Sequence, residues 1–177
     1  MSLQEEYRAC SPQNATDPRV LWIEPDRFNN VCYLSMLGNQ ARSDPRYRCA
    51  HVFSLDEAAR IMKESKHLGL FITETHSHEE VQDTHPAEFF LREMQGFGDY
   101  AFCPILVYSD AVQNKEPSNQ PILATKEDAT IERISMFEEL NNVLFLGNVY
   151  FLGKDENFPE PADGKRLIAA IDQLVPK

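Results

Sequence analysis

The chain has 177 residues, with 17 Lys and Arg against 28 Asp and Glu, giving a net charge of −11. That length suits one domain, and 42% apolar with 25% charged residues is the balance of a folded globular chain. The acidity argues against nucleic-acid binding through the whole surface, which needs basic patches; it fits a solvated surface or a basic partner.

Residues 1–18 are polar and include Pro12 and Pro18, which reads as a loose leader; residues 19–177 read as one α/β domain. Val20–Ile23 is a short apolar run whose length and flanking prolines favour a central strand over buried helix. Phe28, Val31, Cys32, Leu34 and Met36 then suggest a first helix that fades near Gly38, and Ser43-Asp44-Pro45 reads as a loop. Tyr47, Cys49, His51 and Phe53 alternate with their neighbours as a second strand. Ser54 followed three residues later by Glu57 has capping-box spacing, and Ala58, Ile61 and Met62 form the buried stripe of the helix it opens. A third strand begins at Leu68 and runs through Thr73 into Glu74.

The stretch from Thr75 to His85 is polar. Pro86 can occupy the first position of a helix carrying Phe89, Phe90, Leu91 and Met94, which Gly96 and Gly98 end. Pro104–Tyr108 is a fourth strand, and residues 111–125 read as an exposed loop. A helix from about Glu127 to Leu140 follows, with Ile131, Ile134, Phe137 and Leu140 at helical spacing. Val143–Leu146 and Val149–Leu152 flank Gly147-Asn148. Either they form a two-residue hairpin, or one of them is the fifth strand and the other covers an edge. A last helix runs from roughly Ala162 to Leu174, with Leu167, Ile168, Ile171 and Leu174 facing inward.

Strands alternating with helices signal a parallel sheet covered on both faces. Right-handed crossovers favour a flavodoxin-like, doubly wound, three-layer fold with five strands in the order 2-1-3-4-5. In that order the first and third strands meet at the switch point, where Glu24, Asp26 and Glu74 follow their carboxyl ends.

Four cysteines, Cys10, Cys32, Cys49 and Cys103, make no C-x-x-C pair and no disulfide scaffold. Cys49 and Cys103 sit among apolar residues and read as small hydrophobes in a reducing, cytoplasmic setting. With no apolar run of membrane-spanning length and no signal peptide, neither a membrane span nor secretion is expected. His76, His78, Glu79, Glu80 and His85 are suitable metal ligands by type. They lack a fixed helical spacing and read as a solvated loop. Neither a Walker Gly-Lys motif, a G-x-G-x-x-G nor a G-x-S-x-G elbow is present.

In the order and spacing of these segments the chain resembles the response-regulator receiver family, well over residues 19–110 and loosely over 140–175. The segments are Val20–Asn30, Ser54–Ala59, Gly69–Glu74 and Val107-Tyr108-Ser109. The resemblance implies two adjacent acids that hold Mg²⁺, a phospho-acceptor, a switch hydroxyl and a lysine after the last strand. Glu24 stands in the first acidic place and Pro25 in the second, with Asp26 displaced by one residue. Glu74 stands at the acceptor position, with one methylene more than aspartate. Ser109 matches the switch hydroxyl, and Lys154 the lysine, followed by Asp155 where the family has Pro. Phosphoryl transfer rests on positioning and metal electrostatics, and a displacement of about 1 Å can cost roughly 10²-fold.

The resemblance with these departures implies a pseudo-receiver, a non-enzymatic module that binds protein partners such as other signalling domains without phosphorylation control. No cofactor is expected beyond weak Mg²⁺ at Glu24 and Glu74. The acidic edge stays open to three readings: no ligand, a vestigial cation site, or Glu74 mimicking a phosphorylated acceptor. Tyr150 and Phe151 are candidate partner-binding residues, because aromatics anchor interfaces; core packing is the rival explanation, and self-association stays open. The alternative is a small α/β enzyme or nucleotide- or metal-binding protein at the same edge, with a carboxylate or histidine as general base.

Overall fold

Val20–Ile23 shows no polar alternation because strand β1 (Val20–Ile23) is covered on both faces, with all four residues buried. The computed structural model describes residues 17–23, 31–73, 100, 103–109, 122–123, 149–153 and 161–177. In chain order β1 is followed by α1 (Val31–Ala41), a 3₁₀ turn (Pro45–Tyr47), β2 (Cys49–Val52) and α2 (Leu55–Glu64). Then come β3 (Leu70–Thr73), β4 (Ile105–Ser109), β5 (Ile122–Leu123), β6 (Val149–Gly153) and α3 (Pro161–Leu174).

The sheet order is β2-β1-β3-β4-β6-β5, parallel throughout except for the last pair. Its five parallel strands have the expected 2-1-3-4-5 order, with β6 as the fifth, so the fold is flavodoxin-like. Period-two alternation divides the strands between two cores. Leu21, Ile23, Phe71, Ile105 and Val107 pack with Leu55, Ala58 and Met62 of α2. On the other face Val20, Trp22, Leu70, Ile72, Leu106 and Tyr108 pack with Leu37 of α1 and with Leu167, Ala170 and Ile171 of α3. Each fully buried aliphatic side chain contributes about 1.5–3 kcal/mol. Trp22 has no exposed surface, and its ring meets Tyr108 and His51 edge-on at 6.1 and 5.6 Å.

The capping box at Ser54 forms with one variation. Ser54 Oγ accepts from the Glu57 N–H at 3.2 Å, while the Glu57 carboxylate accepts from the N–H of Phe53, one residue before the cap, at 3.0 Å.

Four expectations need correction. Helix α1 passes through Gly38 and ends at Ala41. A glycine inside a helix costs only about 1 kcal/mol, and buried Leu37 beside it anchors the helix. The second strand is shorter than 47–53, because Asp44 caps a 3₁₀ turn with Pro45 at its start that runs through Tyr47. The leader yields its last residues to the fold: Pro18 is buried, and Asp17 pairs with His67. The exposed loop expected at 111–125 contains β5, which pairs antiparallel with β6 through Ile122↔Phe151 and Leu123↔Tyr150. Of the two apolar runs at 143–152, Val149–Gly153 is β6, the fifth parallel strand. Residues 143–148 themselves, and the helices expected near 86–95 and 127–140, lie outside the described residues.

Candidate functional site

The carboxyl edge is built by register. Ile23 of β1 pairs with Thr73 of β3, Thr73 with Val107 of β4, and Val107 with Phe151 of β6; two residues further along, Ser109 pairs with Gly153. Four parallel strands therefore end side by side. The chain continues from Ile23 into Glu24-Pro25-Asp26, from Thr73 into Glu74, and from Gly153 into Lys154. Glu24, Asp26, Glu74 and Lys154 lie outside the described residues, as do His76, His78, Glu79, Glu80 and His85. Ser109 is the last residue of β4.

Sequence reasoning passed over Thr73. It is fully buried at the end of β3, between Ile23 and Val107. A hydroxyl closing an otherwise apolar strand is the signal that could have found it. Thr73 and His51 are the buried polar residues among those described. His51 stands on edge strand β2, its ring against Trp22 and, at 4.9 Å, Phe53.

Tyr150 and Phe151 do not form one patch. They are consecutive on β6, so they point to opposite faces: Tyr150 packs against the α1–α3 core and Phe151 against the α2 core. Both are half-buried, which divides their area between core and solvent.

The two cysteines with described side chains are poor nucleophiles. Burial pushes the Cys103 thiol up to about 11, and its S–H donates to the Leu68 carbonyl at 3.3 Å. Burial raises Cys49 further. The thiolate is the reactive form, and neither residue holds it at neutral pH.

At the opposite, amino edge the charged groups are organised. Arg46 bonds both oxygens of Asp44, through its N–H at 3.0 Å and its guanidinium at 2.6 Å, and those bonds hold the Asp44 carboxyl below its ordinary range. The same guanidinium reaches Asp172 of α3 at 3.2 Å, and the Tyr47 hydroxyl donates to Asp172. This ties the turn before β2 to the last helix.

Among the described residues no group of three or more His, Cys, Asp or Glu side chains is placed to hold a metal ion. None of the described helices is long and apolar enough to cross a membrane.

Comparison with protein-family models and with curated proteins finds no match. In structure the chain is similar to the signal receiver domain of an HD domain-containing protein from Pseudomonas fluorescens Pf-5. The TM-score is 0.45 and the sequence identity 14%, over 90% of this chain and 94% of that one.

Proposed function

We propose that this chain is a receiver-like signalling or scaffolding module that binds protein partners without catalysis and without phosphorylation control. The observation that supports it best is the pairing of Ile23 with Thr73 on adjacent parallel strands. It makes Glu24-Pro25-Asp26 and Glu74 the continuations of the two strands that flank the switch point, where doubly wound sheets gather ligand groups. The donor set is one carboxylate short of the family's: Pro25 has no side-chain ligand atom, and Glu74 is longer than the aspartate it replaces. These residues do not fit the family's Mg²⁺ site, and no chemical step is assigned to one.

A panel of Mg²⁺, Zn²⁺ and nucleotides in thermal unfolding tests the non-catalytic reading. A ligand at 100 times its Kd stabilises by about 2.7 kcal/mol, which is roughly 5–10 °C for a chain of this size. The expected shift is within about 1 °C for every ligand. A shift of several degrees with a nucleotide or divalent ion would instead make the carboxyl edge a ligand site.

A further inference from the structure

We draw no further inference here: the strongest candidate, the cleft at the amino edge of the sheet between β2 and the end of α2, is lined by Asp17 and Glu64 as well as by Arg60 and Lys66, so its charge selects no occupant and nothing in the structure shows what covers it.

Discussion

Tyr47 donates its hydroxyl hydrogen to Asp172 across 125 residues of sequence, joining the turn before β2 to the last helix. Arg46 reinforces the junction, bonding Asp172 and lying 5.7 Å from the centre of the Tyr47 ring. Burial first, and the bond to Asp172 second, push the Tyr47 hydroxyl up from its ordinary 10 to about 12. Between those values the unfolded chain has released the proton and the folded chain still holds it. Stability from this group is therefore complete below pH 10 and lost as pH rises toward 12. Tyr47→Phe should lower stability near neutrality by about 0.5–1.5 kcal/mol and fall less steeply than wild type between pH 10 and 12. Urea unfolding across that range measures both effects.

Gly38 lies on the exposed side of α1, and an added Cβ would meet nothing within 4 Å. Its φ does not require glycine. Gly38→Ala should therefore stabilise the protein by about 0.5–1 kcal/mol, through helix propensity and a less flexible unfolded chain. A rise in the urea midpoint with unchanged slope is the expected result.

Ser54 caps α2 with a side-chain bond to Glu57 at 3.2 Å. Ser54→Ala should cost about 1 kcal/mol. Because α2 packs in one core with Leu21, Ile23, Phe71, Ile105 and Val107 of the sheet, the loss should appear in global unfolding as well as in hydrogen exchange of the first turn. Ser54→Asp should retain most of the stability, since Asp is an equally good cap.

The strands that build the switch point were legible because burial on both faces leaves continuous apolar runs, as at Val20–Ile23 and Leu70–Thr73. The cap of α2 was legible because Ser and Glu three residues apart have one local use. Strand β5 was not. Ile122 and Leu123 are too few to show a period, and what makes them a strand is the open edge of β6, a long-range partner. Pro45 shortened β2 through a turn whose stability comes from Asp44 and Arg46. The candidate site was legible only as strand ends. Its carboxylates fall in the connections, where sequence fixes the residue type and leaves open the direction of each side chain.

The central claim is that this edge does not take up phosphate, and intact-mass spectrometry after incubation with a small phosphodonor and Mg²⁺ tests it most directly. On the proposed reading, Pro25 offers no side-chain ligand where the receiver family has an acid and Glu74 is one methylene longer than the family's acceptor, so both departures act on one step. The wild-type chain should show no hydroxylamine-labile phosphate adduct, and Pro25→Asp or Glu74→Asp alone should add little. Together, Pro25→Asp and Glu74→Asp should give measurable labelling. Stoichiometric, Mg²⁺-dependent phosphorylation of the unmodified chain at Glu74 or Asp26 would contradict the account.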